Sequence, residues 1–537
     1  MNDSGISGRG TSVVRVTVSH SHHQSDEGGP PDEGRSERGR RLLGAARDAD
    51  GDAAVLEVGS TGVRALEPLV LVTDGGRTAY HPRPSFERVQ ALAAGAGSGD
   101  VGADEAAWVV EHDPDIDSLP TPSEGPLAVG HRRVLGGCGW VDPEGGARPD
   151  AARLAREDPE DALDSLRDIG VLGRGRGDAT RDAPVAGTVE TVREASGDPV
   201  VVVNANESDH RNEGDRTLLG GAPGTVLDGA LAVAELVGAG PGDVVVYTNE
   251  ADELARRRTR RAGRALVNDA GDGAGSGDAD TPQVVSGPDE YIAGEFTMAL
   301  EALEGNDRLE ARLRPPGPAR HGLYGRPTVV HTPRTFAQIR EALADPGAFD
   351  AGDADPGTRV LTVSGDVETP ATVELPTGGS LAAVRDAVDT EGGFKMACVG
   401  GQFGGFTPTL DHGASALALS NAGLGTEGTV ELLNDDRCVV ADVGERVRFA
   451  SEENCGRCFS CREGSKQLLD LLRDVYDGTY DDDMIRELTR TVGESSICDF
   501  GQSAARSVGT AVERFETEFE AHANGRCPSG SCEVSHS

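Results

Sequence analysis

Three cysteines at intervals of three, Cys455, Cys458 and Cys461, lie in Glu453-Asn-Cys-Gly-Arg-Cys-Phe-Ser-Cys-Arg-Glu-Gly464, and a fourth, Cys498, follows in Ser496-Ile-Cys-Asp-Phe-Gly501. Three thiolates at C-x2-C-x2-C can wrap one face of a compact metal cluster, and a distant fourth can close it. That is the ligand pattern of a cubane [4Fe–4S] cluster. A structural zinc ion with four thiolates could use the same residues, but zinc sites more often employ two separated C-x2-C pairs. The flanks predict helices. Leu468, Leu469, Leu472 and Val475 fall at helical spacing after Cys461, Asp482–Val492 reads as a second helix, and Val508, Val512, Phe515 and Phe519 mark a third. The expected unit is a small helical bundle that holds the cluster and is stabilised by it.

Charge narrows the partners. Ninety-one acidic against 51 basic residues give a formal net charge of −40, and only Lys395 and Lys466 are lysines. Such a surface excludes nucleic acid and anionic membranes as partners. Carboxylate excess with arginine in place of lysine suggests a halophilic, high-salt cytoplasm, where screening relieves self-repulsion, or a GC-rich genome. No apolar run approaches the ~20 residues that span a bilayer, and the N-terminus lacks a signal peptide's hydrophobic core. Nine cysteines, four of them in the cluster pattern, fit a reducing cytoplasm better than a disulfide framework.

Along the chain of 537 residues three or four domains are expected. The N-terminal part reads as strand Ser12–Ser19, a Gly/Pro-rich loop containing His20, His22 and His23, helix Arg38–Arg47, strands Ala53–Val58 and Pro68–Val72, and helix Phe86–Ala94. Cys138, in Val134-Leu-Gly-Gly-Cys-Gly-Trp-Val-Asp-Pro143, reads as a packed thiol, and Asp161–Ile169 as a helix. Val200–Val203 and Asp243–Thr248 are β-branched runs typical of buried parallel strands, with helix Thr225–Val237 between them. This predicts an α/β layer structure. Asn268–Thr281 reads as a disordered surface insertion. Beyond it come hairpin Arg359–Val363 and Ala371–Leu375, helix Ser380–Val388 and strand Phe394–Val399, with Cys398 and Cys438 as buried core.

Three stretches of the α/β part could serve a cofactor. Gly173-Arg-Gly-Arg-Gly-Asp178 has glycines whose amides can approach a phosphate. Val203-Asn-Ala-Asn-Glu-Ser-Asp209 places polar groups at the end of a buried strand, where α/β proteins bind ligands. Tyr291-Ile-Ala-Gly-Glu295, Ala311-Arg-Leu-Arg-Pro-Pro316 and Thr335 complete the set.

In this order, and with the cysteine motif behind them, these stretches resemble the NADH-binding flavoprotein subunit of respiratory complex I and of NAD-linked hydrogenases. The motif E-S-C-G-K-C-x-P-C-R-E-G of that family falls on Glu453–Gly464 almost position for position. The resemblance implies a multidomain α/β protein with a thioredoxin-like domain (1–110), an FMN/NADH-type α/β domain (125–345), a soluble-ligand-binding β-grasp domain (358–440), a helical iron–sulfur domain (445–525) and a tail (526–537). It implies Cys455, Cys458, Cys461 and Cys498 as ligands of a [4Fe–4S] cluster. It implies FMN and NADH at Gly173, Gly175, Gly177, Asn204, Asn206, Glu207, Tyr291, Gly294, Glu295 and Thr335.

Departures from the pattern fall on the same site. Family aromatic, lysine, aspartate and glutamate positions carry Ala179, Pro184, Asn206 and Phe296; the aromatic that stacks on nicotinamide becomes Gly317, and N-N-V-E-T falls on His331-Thr-Pro-Arg-Thr335. The family's two-iron cysteines fall on Ser60 and Arg64, so the N-terminal domain is expected to carry no cluster. Cys527 and Cys532 match the C-P-A-G-x-C that precedes a ferredoxin domain in some members. The implied function is an NADH:acceptor oxidoreductase subunit passing electrons from NADH through FMN to the cluster, with other redox subunits as partners. It would be cytoplasmic, peripheral to a membrane complex and not inserted in the bilayer. The alternative is a [4Fe–4S] electron-transfer or assembly subunit that has lost flavin and NADH binding.

Overall fold

The computed structural model describes residues 12–20, 33–145, 150–269 and 281–532. His22, His23 and residues 270–280 of the expected insertion lie outside them.

The N-terminal sheet begins with β1 (Val13–Thr17), which runs parallel to β2 (Ala54–Val58) after the helix Glu33–Arg47. β3 (Leu69–Asp74), β4 (Arg77–Pro82) and β5 (Trp108–Glu111) follow antiparallel, giving the order β2-β1-β3-β4-β5 of a thioredoxin-like domain. Gly75 and Gly76 make the β3–β4 turn at φ 53° and 82°, the paired positive angles that a two-residue hairpin of type I′ demands. Strand alternation sends Val14 and Val16 against Leu42, Leu43, Val89 and Leu92 of the two helices. Arg15 points the other way and lies 3.7 Å over the Trp140 ring.

Ser60 and Arg64, which stand at family cysteine positions, are engaged elsewhere. Ser60 donates to Glu67 at 2.8 Å, and Arg64 pairs with Glu213 of the next domain at 2.7 Å, both members being buried. His20 does not belong to a solvated loop. It lies 3.9 Å from Glu213 with a tenth of its side chain exposed, because the strand end carries it onto the α/β domain.

The α/β domain is a parallel sheet, β8-β7-β6-β9, of β6 (Val200–Ala205), β7 (Val244–Asn249), β8 (Gln283–Gly287) and β9 (Thr328–His331). Every residue of β6, β7 and β9 is buried, as their valine runs predict. Helix Pro223–Val237 crosses Pro333–Ala344 so closely that a Cβ on Gly229 would collide with the Phe336 carbonyl. No single helix among the described residues is long and apolar enough to cross a membrane.

A β-grasp sheet follows: β10 (Thr358–Gly365), β11 (Ala371–Pro376), β12 (Phe394–Val399), β13 (Gly405–Thr407) and β14 (Thr429–Asn434), ordered β11-β10-β14-β12-β13. The stretch expected as an α-helix is a 3-10 helix, Leu381–Ala387. Its buried residues, Leu381, Val384 and Ala387, recur every three positions, which a helix of three residues per turn places on one face.

Five helices complete the chain: Val439–Glu452, Phe459–Tyr476, Asp482–Ser495, Asp499–Arg514 and Glu516–Ala523. The third predicted helix breaks at Phe515, so Phe515 and Phe519 enter the core from different segments.

The Arg64–Glu213 pair is a buried charge contact between the first two domains. Breaking such a pair costs about 3–5 kcal/mol. Arg64→Leu is therefore expected to lower the unfolding free energy by that amount in a denaturant titration. A loss below about 1 kcal/mol, the worth of an exposed pair, would contradict it.

Candidate metal centre

Two helix N-termini deliver the cysteines. Cys458 caps helix Phe459–Tyr476, Cys461 lies in its first turn, and Cys498 caps Asp499–Arg514. Cys455 precedes them in a turn where Gly456 takes φ 75° and donates to the Asn454 side chain at 3.0 Å. Arg462 clamps that turn through the Gly456 carbonyl at 2.7 Å. The positive ends of the two helices favour negative charge at this point. Gly501 permits the convergence, since its Cβ would sit 3.0 Å from that of Cys461.

Cys461 and Cys498 are buried, Cys455 and Cys458 half-buried. Their shell is apolar: Met298, Ala311, Phe403, Ala450, Phe500 and Ala504. A hydrogen bond from Cys461 holds the Cys458 thiol down to about 5, and the same bond pushes Cys461 up. Burial, then the charge of Glu295, pushes Cys498 up to about 12. Cluster assembly must therefore displace protons from the set. Four thiols gathered in one dry shell are a donor set suited to iron and sulfide.

The cleft next to this centre opens where the strand order reverses between β6 and β9, the place α/β sheets reserve for ligands. Asn204, Asn206, Glu207, Gly177 and Gly294 line it together. Asn204 donates to Gly177 O and Gly294 O, both at 3.0 Å, and its Oδ1 has no partner among the described residues. Glu207 accepts from the Asp215 and Arg216 amides. Gly175 takes φ 86° at the rim.

Other expected site residues also make structural contacts, and Glu295 and Tyr291 line the adjoining space toward Phe403 and Phe500. The Gly173 amide is bonded to Ala183 O at 3.0 Å and is not presented to the cleft. Glu295 caps helix Phe296–Leu303 through Thr297 N and Met298 N. Thr335 bridges Asp178 and the Arg174 amide. Tyr291 packs edge-on against Phe403, Phe449 and Phe500, on the cluster side.

Two arginines that are not among the expected site residues, Arg334 and Arg176, fill the cleft. Arg334 pairs with Asp215 at 2.8 Å and donates to Glu427 O at 2.8 Å, and its guanidinium lies where a Cβ on Gly175 would stand 2.7 Å away. Arg176 lies 3.9 Å over the Tyr291 ring and bonds Ser208. Burial and neighbouring Asp215 push Glu207 up to about 7. The space left is about 20 Å³, against ~300 Å³ or more for ordinary small-molecule sites. The polar frame of a flavin site is assembled, and in this structure Arg334 and its partners occupy much of it.

Comparison with known proteins matches both regions. Residues 166–341 match the Nuo51 FMN-binding domain, and 443–522 the NADH-ubiquinone oxidoreductase-F iron-sulfur binding region. In fold, the chain is similar to a subunit in the crystal structure of NAD+-reducing [NiFe]-hydrogenase in the H2-reduced state (TM-score 0.63, 22% identity, covering 96% of this chain and 85% of that one). It is 27% identical over 426 residues to NADP-reducing hydrogenase subunit HndC of Solidesulfovibrio fructosivorans, covering 74% of this chain and 84% of the relative. It is 30% identical to the F subunit of NADH-quinone oxidoreductase from Streptomyces coelicolor, covering 69% of this chain and 85% of the relative. Against the second F subunit of NADH-quinone oxidoreductase from Rhizobium meliloti the identity is 31% over 405 residues, 72% of this chain and 94% of the relative. A four-cysteine centre beside a parallel-sheet cleft, with kinship along nearly the whole of that relative, means that this chain belongs to the family of NADH-quinone oxidoreductase F subunits.

Proposed function

We propose that this chain is the redox subunit through which electrons from NADH reach a [4Fe–4S] cluster in a multi-subunit assembly, with Cys455, Cys458, Cys461 and Cys498 as the ligands. The observation that carries this reading is the convergence of four thiols in an apolar shell at two helix N-termini. The relatives, subunits of quinone- and hydrogenase-type complexes, support partners that are redox proteins. Net charge −40 supports a high-salt cytoplasm, and the relatives support a position peripheral to a membrane complex. The limits of the thioredoxin-like, α/β, β-grasp and helical domains and of the tail are proposed with it. Anaerobically isolated protein is expected to contain about four irons per chain. It should show a paramagnetic signal on reduction, and Cys498→Ser should abolish both. Zinc in place of iron at this centre would overturn the assignment.

A flavin, where one is bound, turns a hydride pair into single electrons. The filled cleft favours a second reading, in which the α/β domain is a scaffold and a partner delivers electrons to the cluster one at a time. On that second reading the protein isolates without flavin and binds FMN weakly. Arg334→Asn combined with Asp215→Asn removes the pair that occupies the space and leaves Glu207 to its neighbour Arg216, and should tighten FMN tenfold or more in a fluorescence titration. Tight, stoichiometric FMN in the unaltered protein would overturn the closed-cleft reading and leave NADH oxidation with this chain.

A further inference from the structure

A second group of ligand-bearing side chains converges at the other end of the helical bundle. Cys438 caps the start of helix Val439–Glu452, whereas Cys455 follows its end. Fourteen helical residues at 1.5 Å each separate the two places by about 20 Å. Around Cys438 stand His522, Cys527 and Cys532, and the three sulfurs and one imidazole nitrogen all lie within 4.8 Å of one another. Cys438 and His522 are buried, and the other two half-buried.

The details are those of a ligand set rather than of chance packing. His522 Nδ1 is 2.7 Å from Glu518 O and donates to it, which fixes the tautomer and turns the lone pair of Nε2 to the Cys438 sulfur at 3.3 Å. Metal-binding histidines are held in this way by their second nitrogen. Each remaining sulfur has an outer polar partner: Cys527 lies 3.1 Å from Ser529 Oγ, and Cys532 lies 3.7 Å from Tyr476 Oη. The turn Cys527–Gly530, closed by Gly530 N on Cys527 O with Gly530 at φ 73°, brings the last two sulfurs to the same side.

Zinc–sulfur bonds of about 2.3 Å and zinc–nitrogen bonds of about 2.0 Å set tetrahedral ligands about 3.5–3.8 Å apart. The four atoms all lie within 4.8 Å of one another, and Cys438 Sγ and His522 Nε2, at 3.3 Å, are already close to that spacing. We infer that Cys438, His522, Cys527 and Cys532 form a closed structural zinc site, distinct from the cluster. Four protein ligands leave no open position, so the ion has no catalytic water. Its effect is to tie the C-terminal segment to the first helix of the bundle, and binding releases the thiol protons.

The intact chain, purified anaerobically, is expected to hold one zinc besides the irons of the cluster. His522→Ala and Cys527→Ser should each lose the zinc while keeping iron content and the reduced-cluster signal. Cys498→Ser should do the reverse, which separates failure of this site from failure of the cluster assignment. Should the variants not fold, cobalt exchange into the unaltered protein decides: thiolate-to-cobalt charge-transfer bands and tetrahedral ligand-field bands are expected. Iron-replete protein without zinc would overturn the site, as would freely alkylated Cys438, Cys527 and Cys532, a Cys527–Cys532 disulfide, or an additional iron in place of zinc.

Discussion

Glu427 is the point at which three domains depend on one carboxylate. It lies just before β14, fully enclosed, and takes Arg506 of the bundle at 2.9 Å and Arg181 of the α/β domain at 3.2 Å. Its carbonyl accepts from Arg334 and Asn212. Burial alone would raise its pKa, but Arg506 and Arg181 outweigh it and hold the group below the ordinary carboxylate range. A buried anion is sustainable only when it is paired and hydrogen-bonded. The same arrangement recurs in Arg446–Glu431, Arg174–Asp355 and Arg359–Asp355. Guanidinium suits these junctions because one group meets two or three acceptors in fixed directions, which an ammonium cannot do.

That junction also places the cleft beside the metal centre. Tyr291, from the α/β domain, meets Phe403 of the β-grasp turn and Phe449 and Phe500 of the bundle at centroid distances of 5.2–5.7 Å. Edge-to-face rings of this kind are worth ~0.5–1.5 kcal/mol per pair beyond their burial. They fill the space between the cleft and the sulfurs with carbon. Burial pushes the Tyr291 hydroxyl up, so it stays neutral. The boundary is thus apolar on the cluster side and densely charged on the other.

The cluster motif and several strands of the larger domains were legible because they rest on short-range patterns, whereas the strand orders, set by long-range pairing, were not. Cys455, Cys458 and Cys461 declare their purpose by spacing, and Val200–Val203 declares a buried strand by composition. β4 went unread, although Asp74-Gly75-Gly76-Arg77 carried a hairpin signal, because its alternation is broken by Arg77 and Pro82; β5, β8, β9, β13 and β14 went unread as well. The cleft was half legible. Asn204, Asn206 and Glu207 do line it, but Arg334 closes it through partners far away in sequence, Asp215 and Glu427, which no local pattern brings together. Cys438 reads as core from its own neighbourhood alone, and its convergence with His522, Cys527 and Cys532 is a product of the helical bundle.

Charge decides what the cleft can admit. Its lining contains four carboxylates, Glu207, Asp209, Asp215 and Glu427, and two guanidinium groups, Arg176 and Arg334. Both arginines are already committed, Arg334 to Asp215 and Arg176 to Ser208 and the Tyr291 carbonyl. A phosphate entering here would have to draw Arg334 from Asp215 and would face the carboxylates at close range. High salt relieves repulsion between exposed charges but screens a buried pair far less. High salt therefore does not open this interior. Arg334 neutralises Asp215 within the cleft, and the same arginine joins the α/β domain to Glu427. The charges that line the cleft are therefore also the ones that hold the domains together.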